Sequence, residues 1–572
     1  MKDFYNIWNR LFGKTYDAVQ TGDYGRDAEN TQDETWRSRR NEYRKRAFTY
    51  TFLGIGALLS GIFIMVVDPY NLLYEWKLVF GKGGEIYSLW ENPPVALYLK
   101  VYLWNITNKE EYMSGKDKKL KFQEIGPYVY RELMTHENVT FNDNGTLTTN
   151  PSHPLVWVPE LSEGRREDDL LILPNIALLS IADVASKKGL FTRLGLNVVI
   201  RQTKSEPLVK MTAREFMFGY KSTLMTLGNT FMNSWIYFDK LGLIDRMYEF
   251  SGDYETFYTG QKDGIKNIGL LDKYNGQIRI PQWESPCGDV TGASDGTKFP
   301  GNIQPDEKLL FFRKSMCRAK ELVRVNETVV DGLRAYVYHF ANDTDDNGRL
   351  RPKNRCFCKE SDIDKCLPNG LLDVRGCYYG FPIALSYPHF LDGDKSLMAK
   401  VESGLNPDPE KHKSYFVIQP DSGLPINLAV RYQINMALGN LENIANSEKF
   451  TDMILPLLWT ENGMYGLPPS LSLRFKLYIS ILPVVQSCLK YASFLGSVVL
   501  LVCAVRKFVL SKRGTDAGRS PWIEDSFVTN IERKLSGYIP EKRDSMSARE
   551  LKVYVEKLMV PLNQKIITRD DE

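Results

Sequence analysis

Two long apolar runs, one near each end of the chain, constrain its fold more than any other feature. Residues 47–67, AFTYTFLGIGALLSGIFIMVV, contain no charged side chain over 21 positions, and the hydrocarbon core of a bilayer needs about 20 apolar residues. The run begins after 46 residues and continues into DPYNLL, so it predicts an uncleaved anchor rather than a signal peptide. A second run ends at Val505. We predict its helix at residues 484–505, with Lys490 extending outward from the first two turns.

The basic residues beside the two runs predict how the chain is oriented. Six basic residues immediately precede the first run, and a second basic cluster follows Val505. Because positive residues prefer the cytoplasmic side, residues 1–46 and 506–572 are predicted to be cytoplasmic tails. Residues 68–483 would then form an extracellular or luminal domain. The mean hydropathy of −0.31 excludes a protein with many membrane spans.

Glycosylation signals agree with this orientation. The chain has five N-x-[ST] sequons between the two runs and none in either predicted tail. Such sequons mark surface positions of secreted or luminal domains. The predicted glycosylation sites are Asn105, Asn138, Asn144, Asn326 and Asn342.

The cysteines divide in the same way. Six of the eight lie between the runs, at Cys287, Cys317, Cys356, Cys358, Cys366 and Cys377. An oxidising compartment favours three disulfides, whereas a zinc site would show C-x-x-C pairs, which this spacing lacks. Spacing disfavours only a bond between Cys356 and Cys358 and leaves the other pairings open. Cys503, in the second run, lies near the inner leaflet and is a candidate for palmitoylation.

Strand-like segments dominate the region between the runs. VALYLKVYLWNI, PYVYREL, LRAYVYHFA and YFVIQP alternate or are rich in β-branched and aromatic residues. Helices are predicted near LLILPNIALLSIADVASKKG, TAREFMFGYKSTLMTLGNTFMNSWIY and LENIANSEKFTDMILPLLW. Because we find no repeat and no disordered linker, one large domain of the α+β class is the predicted fold.

Several motifs of this domain occur in the order found in a known family. They include NPPVALYLKVYLWNITN, GPYVYRE, IPQWESPCGDVTGASDGTKFP, GLLDVRGCYYGFPIALSYPHFL and GLNPDPEKHKSYFVIQPDSG. Over residues 70–505 the chain resembles the class B scavenger receptors, the family of platelet glycoprotein IV (the fatty-acid translocase), the high-density-lipoprotein receptor and lysosomal integral membrane protein type two. The resemblance implies an antiparallel β-barrel-like core, a helical cap and a lipid tunnel toward the bilayer. It also implies three disulfides, Cys287–Cys356, Cys317–Cys377 and Cys358–Cys366.

The cap, at residues 170–237, is the predicted site of ligand capture. It carries four basic residues, Arg193, Arg201, Lys204 and Lys210. The resemblance implies that basic cap residues meet anionic lipids and modified lipoproteins. A cationic rim beside an apolar entrance would suit a carboxylate-headed chain. The alternative is that each residue belongs to an ordinary solvated surface.

The residue pattern argues against several other classes of function. The five histidines are scattered and H-E-x-x-H does not occur, so the chain is predicted not to be an enzyme. DTDDNG, residues 343–348, lacks the glutamate that ends a calcium loop and is interpreted as a polar turn. No metal site or cofactor is predicted. A net charge of +3 without a recognition motif argues against nucleic-acid binding.

Three functions are compatible with these observations. The preferred hypothesis is a receptor that binds lipids, lipoproteins or lipid-exposing particles and transfers lipid through the tunnel, at the plasma membrane or at an endosomal or lysosomal membrane. The second is a sorting receptor that carries a luminal protein to lysosomes. The third is an accessory protein that passes hydrophobic odorants to a receptor channel in sensory neurons.

The long tails contain two predicted amphipathic helices. The first places Phe4, Ile7, Trp8 and Leu11 on one helical face. The second follows a capping box that begins at Ser547. Each is predicted to bind the membrane surface or a cytoplasmic partner.

Overall fold

The computed structural model describes residues 27–222, 240–262 and 264–513, together with residues 224 and 226. These residues divide into two compact units. One contains the described residues up to Gly61 and from Ala492 onward, and the other contains residues 62–491. The predicted tail helices, at Phe4–Leu11 and after Ser547, lie outside the described residues.

The described helices include two that are much longer than the others. The helices are α1 (Asp27–Val67), α2 (Pro69–Leu78), α3 (Glu85–Glu91), α4 (Lys109–Ser114), α5 (Ile176–Ser186), α6 (Leu190–Thr203), α7 (Ala213–Phe218), α8 (Leu243–Met247), α9 (Pro409–His412), α10 (Pro469–Phe475) and α11 (Leu482–Arg513). A π-helical segment, Lys476–Ile481, joins α10 to α11. The predicted spans, residues 47–67 and 484–505, lie inside α1 and α11.

Both α1 and α11 are long and apolar enough to cross a membrane. Large apolar side chains are exposed along them, including Phe48 and Phe52 in α1 and Val498 and Val502 in α11. Water disfavours such a surface, whereas the hydrocarbon of a bilayer accommodates it. The two helices therefore have the composition of membrane-spanning segments.

The strands of the ectodomain form one dominant sheet. They are β1 (Leu97–Ile106), β2 (Leu120–Glu132), β3 (Thr135–Phe141), β4 (Thr146–Ser152), β5 (Leu155–Trp157), β6 (Leu170–Pro174), β7 (Leu208–Thr212), β8 (Tyr220–Lys221), β9 (Lys240–Leu241), β10 (Glu255–Tyr258), β11 (Leu271–Tyr274), β12 (Leu309–Arg313), β13 (Arg318–Val330), β14 (Leu333–Phe340), β15 (Leu372–Asp373), β16 (Ile383–Ser386), β17 (Val401–Ser403), β18 (Tyr415–Ile418), β19 (Pro425–Ala437) and β20 (Ile454–Met464). The large sheet has the order β12-β13-β14-β18-β19-β20-β1-β2-β17, with β16 beside β19 and β5 beside β2.

This sheet is antiparallel apart from the pairing of β17 with β2. Its centre is covered on both faces, because nearly every residue of β19 is buried although successive side chains point to opposite faces. The four strand-like segments predicted from the sequence lie in β1, β2, β14 and β18. Among the described strands no pair joins the two ends of the path, so the predicted barrel-like core is an open sheet.

Of the three predicted helical segments, the first forms strand β6 before α5 begins, the second contains α7 and β8 before it passes outside the described residues, and the third is wrong. LENIANSEKFTDMILPLLW forms turns, a 3₁₀ turn at Glu448–Phe450 and then strand β20. The apolar residues Leu441, Ile444 and Phe450 are buried without a continuous helix. The run ILPLLW is buried on both faces between β19 and β1, and such a strand has no alternating pattern that distinguishes it from a buried helix.

Smaller sheets and the helices of the predicted cap complete the ectodomain. A four-stranded sheet has the order β11-β10-β4-β3, and β6 pairs with β7. Helix α5 begins where the Asn175 side chain accepts a hydrogen bond from the Leu178 N–H, and it is almost entirely buried. Helix α7 begins with a capping box of Thr212 and Glu215.

Three disulfides are present in the ectodomain. They join Cys287 to Cys356, Cys317 to Cys377 and Cys358 to Cys366. The first two bonds close loops of 69 and 60 residues. They attach the segment between β14 and β16, which contains Cys356 and Cys377, to Cys287 and Cys317. Loop closure of this kind stabilises a domain by about 2–4 kcal/mol per bond, chiefly through the unfolded chain.

Candidate functional site

The ectodomain contains an apolar cavity of about 120 Å³. Its wall comes from α3, α10, β1, β12, β18, β19, β20 and the turn at residues 295–298. The lining is mainly apolar and includes Trp90, Phe311, Leu428, Val430 and Phe475. Charged side chains on the wall are few: Glu132, Asp295, Lys298 and Arg313. An apolar pocket with a small number of polar groups is the usual form of a lipid or small-molecule site.

The cavity lies next to the segments that lead into the two long helices. Phe475 lines it and lies seven residues before Leu482, where α11 begins, which is roughly 10 Å along a helix. Gln486, on α11, joins the two ends of the ectodomain, because its amide group donates to Asp68 and accepts from the Tyr70 N–H, each at 2.7 Å. The part of the wall formed by α3 and α10 is therefore close in sequence to the apolar helices.

Lys298 is a buried cation on the cavity wall. Only 1% of the residue is exposed, and its ammonium group donates to the carbonyl oxygen of Phe299. No carboxylate of the described residues forms an ion pair with it, and burial lowers the pKa of Lys298 to about 7. Its stem packs where a Cβ at Gly269 would come within 2.5 Å, and that glycine has a φ of +74°.

A second group of charges on the wall is fully partnered. The Glu132 carboxylate accepts hydrogen bonds from Arg313 at 3.0 Å, His153 at 2.6 Å and Tyr248 at 3.1 Å. Tyr248 also contacts Asn462, so these five residues, the Glu132 group, form one network. Burial alone would raise the pKa of Glu132, but Arg313 and His153 outweigh it and lower the pKa to about 2. Glu132 is therefore an ionised part of the wall.

Comparison with known proteins identifies the family to which this chain belongs. A profile of the CD36 family matches residues 52–508, which is most of the sequence. The chain belongs to the CD36 family. Scavenger receptor class B member 1 of Mus musculus is 30% identical over 461 residues, covering 79% of this chain and 88% of that protein. The family assigns the chain to the membrane, with two transmembrane helices, and confirms the resemblance to class B scavenger receptors.

Two further relatives show how wide the similarity is. Scavenger receptor class B member 1 of Sus scrofa is 29% identical over 429 residues, covering 74% of this chain and 82% of that protein. Lysosome membrane protein 2 of Homo sapiens is 28% identical over 419 residues, covering 71% of this chain and 82% of that protein. Relatives named for a scavenger receptor and for the lysosomal membrane are thus about equally similar to this chain.

The four basic cap residues of this CD36-family chain lie on or beside α6. Arg193 and Arg201 are on α6, Lys204 caps its C-terminal end and Lys210 is on β7. Arg201, Lys204 and Lys210 are exposed, and Arg193 is half-buried. None of the four forms an ion pair with another described residue.

Helix α6 also exposes an apolar surface that the sequence analysis did not identify. Leu190, Phe191, Leu194 and Val198 are all exposed, and Phe191 reaches 89%. Asn197 holds the helix to the loop after β19, donating to the Asn443 carbonyl and accepting from the Ala445 N–H. Basic and apolar side chains therefore lie on one anchored helix.

The predicted glycosylation sites differ in exposure. Asn138, Asn144, Asn326 and Asn342 are exposed. Asn105 is half-buried on β1, where its side-chain oxygen accepts a hydrogen bond from the Ile172 N–H at 2.9 Å. The amide of Asn105 thus helps to hold β6 against β1.

The DTDDNG segment forms a turn, as interpreted, but much of it is buried. The Asp346 carboxylate accepts hydrogen bonds from four successive backbone N–H groups, residues 348–351. Asp345 pairs with the buried Lys320. The turn therefore stabilises the loop between β14 and β15. Cys503, the predicted palmitoylation site, is a half-buried free cysteine on α11.

The charged residues of the cavity wall were not identified from the sequence. Lys298 lies in the quoted motif GASDGTKFP, where it follows a turn and carries no periodic signal. Glu132 and Arg313 are 181 positions apart, and only the sheet brings them together. A lysine between a polar turn and an apolar Phe-Pro pair is the one local feature that could have drawn attention to this position.

Proposed function

We propose that this CD36-family chain is a membrane receptor, rather than an enzyme, that binds lipids or lipid-carrying particles and transfers lipid through its ectodomain cavity. The single observation that carries the proposal is the apolar cavity beside the segments that enter α1 and α11. A lipid leaving this cavity beside Phe475 would be seven residues along the chain from the start of α11. Lipid transfer would follow the concentration gradient of the lipid, without coupling to ATP hydrolysis or to ion flow.

Two cationic regions, the basic residues of the cap and Lys298 in the cavity, would each bind a different part of the ligand. Arg193, Arg201, Lys204 and Lys210 would attract an anionic lipid or lipoprotein at the cap, while the exposed apolar face of α6 contacts its surface. Inside the cavity, Lys298 would hold the head of a carboxylate lipid, since a buried ammonium without a carboxylate partner is stabilised by an anionic ligand.

The proposed topology places residues 1–46 and 506–572 in the cytosol and residues 68–483 in the lumen or outside the cell. Spans at residues 47–67 and 484–505 would join these parts. Exposure supports glycosylation at Asn138, Asn144, Asn326 and Asn342, and the three disulfides suit an oxidising compartment. The proposed location is the plasma membrane or an endosomal or lysosomal membrane.

Filling the cavity tests the proposal. Val430, on β19, lines the cavity and is buried, so Val430→Trp should obstruct it. We expect uptake of a labelled fatty acid or sterol by cells expressing this variant to fall to the level of cells without the receptor. The matched control, Val329→Trp, changes an exposed position of β13 and should retain uptake.

The comparison requires equal amounts of each variant at the cell surface, measured by surface biotinylation. If the two variants reach the surface equally and take up lipid equally well, lipid does not pass through this cavity.

A second candidate function is favoured by the exposed apolar face of α6. The same face would serve a sorting receptor that carries a luminal protein. Phe191→Ser would then abolish capture of a luminal protein while leaving lipid uptake unchanged. Loss of lipoprotein binding and uptake together would instead assign the face to lipid capture.

A further inference from the structure

Three side chains with metal-binding atoms meet beside the cavity, in a place that no sequence motif marks. His136 lies on β3, Glu255 begins β10 and Asp295 lies in the turn that lines the cavity. One ligand atom from each lies within 4.8 Å of the other two. These three residues are called the His136 group.

The four-stranded sheet explains why two of them converge. His136 lies opposite Pro151 of β4, and Glu255 lies opposite Thr149 of the same strand. Positions 149 and 151 are two residues apart and share a face of the strand, so His136 and Glu255 project from the same face of the sheet.

The hydrogen bonds of His136 orient its free nitrogen. Nδ1 lies 2.8 Å from the carbonyl oxygen of Trp90, which can only accept, so Nδ1 carries a proton. The Trp90 ring stacks on the imidazole at 3.8 Å and fixes its plane. Nε2 is buried and has no hydrogen-bond partner among the described residues. A backbone carbonyl on one ring nitrogen is the usual support for a histidine that binds metal through the other.

Asp295 is oriented in the same way. Its Oδ1 accepts from the backbone N–H and hydroxyl of Thr297, at 2.9 and 2.6 Å. Its Oδ2 is buried and has no hydrogen-bond partner among the described residues, and it lies 3.5 Å from His136 Nε2, with which it pairs when the imidazole is protonated. Each residue thus uses one polar atom to fix its position and directs the other toward the shared space.

Two cations near the group are already engaged. Arg313 pairs with Glu132, and Lys314 pairs with Asp253. Among the described residues Glu255 forms no ion pair, and the one ionic contact of Asp295 is with His136, when the imidazole is protonated.

We propose that His136, Glu255 and Asp295 form a binding site for a divalent transition-metal ion, with zinc as the first candidate. One imidazole and two carboxylates suit zinc, which binds nitrogen and oxygen at about 2.0–2.2 Å and so needs ligand atoms roughly 3.4 Å apart. The His136–Asp295 separation of 3.5 Å already meets this requirement. The cavity wall at Asp295 offers an entry path, and a water molecule completes the coordination.

The ion would have a structural role in this chain. It would tie two strands of the four-stranded sheet to the turn at residues 294–298, where Ser294 Oγ donates to the Lys298 carbonyl. The turn carries Lys298, so the ion would fix the position of this buried cation. The inference goes beyond the proposed lipid transfer and does not require it.

The test uses the full-length protein, produced in the secretory pathway and purified in detergent. After chelator treatment, the protein is dialysed against zinc chloride and its metal content is measured by plasma mass spectrometry. We expect about one zinc ion per chain and a higher melting temperature with zinc. Cobalt chloride should give the visible absorption of a four- or five-coordinate ion. His136→Asn, Glu255→Gln and Asp295→Asn should remove the ion and the thermal shift.

Glu132→Gln is the matched control, because it alters a buried carboxylate of the same wall that has its own cation. This variant should melt at a lower temperature and still bind zinc. Wild-type protein without zinc or a thermal shift overturns the proposal, and so does zinc retained by all three variants.

Discussion

The cavity wall carries two kinds of buried charge, which differ in whether the protein supplies the opposite charge. In the Glu132 group, the carboxylate is matched by Arg313 and receives hydrogen bonds from His153 and Tyr248. On or beside the same wall, Lys298 has no carboxylate partner among the described residues, and the two carboxylates of the His136 group have no arginine or lysine partner there. Burial is similar in the two cases, so burial alone does not distinguish a structural charge from a binding site.

The difference gives each group a separate role. A matched network is complete in the empty protein and holds β2 to β12. An unmatched charge is unfavourable in the empty protein and becomes favourable when a ligand supplies the opposite sign. Lys298 therefore points to an anionic ligand, and the two carboxylates of the His136 group point to a cation.

The largest predicted effect comes from breaking the matched network. Arg313→Met should destabilise the protein by about 3 kcal/mol, because the Glu132 carboxylate would remain buried without a cation. The measurement is thermal unfolding of the full-length protein in detergent, followed by tryptophan fluorescence.

Arg334→Met is the control for this variant. Arg334 pairs with Glu327 at 2.6 Å, and both residues are exposed. An exposed pair contributes less than about 1 kcal/mol, so its loss should hardly change the melting temperature. Equal effects of the two variants would contradict the distinction between matched wall charges and ordinary surface pairs.

An intermediate effect is predicted for the unmatched cation. Lys298→Met should weaken binding of a photoactivatable fatty acid by about tenfold or more, because it removes a charge-assisted contact. The variant should bind a photoactivatable sterol as well as the wild type does.

Binding by Lys298 also predicts a pH dependence. Burial lowers the pKa of Lys298 to about 7, so the ammonium is charged at pH 6 and largely neutral at pH 8. Fatty-acid labelling of the wild type in lipid nanodiscs should therefore fall between these values, whereas Lys298→Met should show no such fall. A pH profile shared by both proteins would remove Lys298 from the site.

The smallest predicted effect is at the cap. Arg201→Glu combined with Lys204→Glu should reduce binding of anionic lipoprotein a few-fold, and less so at high salt, because exposed charges are screened. Lys118→Glu combined with Lys119→Glu reverses two exposed lysines elsewhere and serves as the control. Equal binding by the two double variants would show that the cap residues belong to an ordinary solvated surface.

The sequence predicted features that depend on local pattern or on family motifs. The apolar runs of α1 and α11, the alternating strands β1 and β14 and the class of the fold were accessible in this way. The segment ILPLLW was not, because a strand buried on both faces has the same composition as a buried helix. The cap cations were predicted as basic residues within an apolar stretch. Arg193 and Arg201 lie on α6, Lys204 lies at its C-terminal end, and Lys210 lies on β7.

The wall charges could not be predicted from the sequence, since their meaning depends on distant partners. His136, Glu255 and Asp295 are separated by 119 and 40 positions, and only the register of β3, β4 and β10 brings the first two together. Arg313 forms its ion pair with Glu132 and not with Asp295, and the sequence does not show which of the two carboxylates it contacts. The sequence shows which residues are charged, but which of them form ion pairs depends on the register of the strands.

The account depends most on the claim that lipid occupies the cavity, and native mass spectrometry of the full-length protein tests it directly. Protein released gently from nanodiscs should carry a bound lipid in the wild type. Val430→Trp should carry none, and Lys298→Met should lose carboxylate lipids while keeping neutral ones. Equal lipid occupancy in the wild type and Val430→Trp would show that the cavity is not where lipid binds.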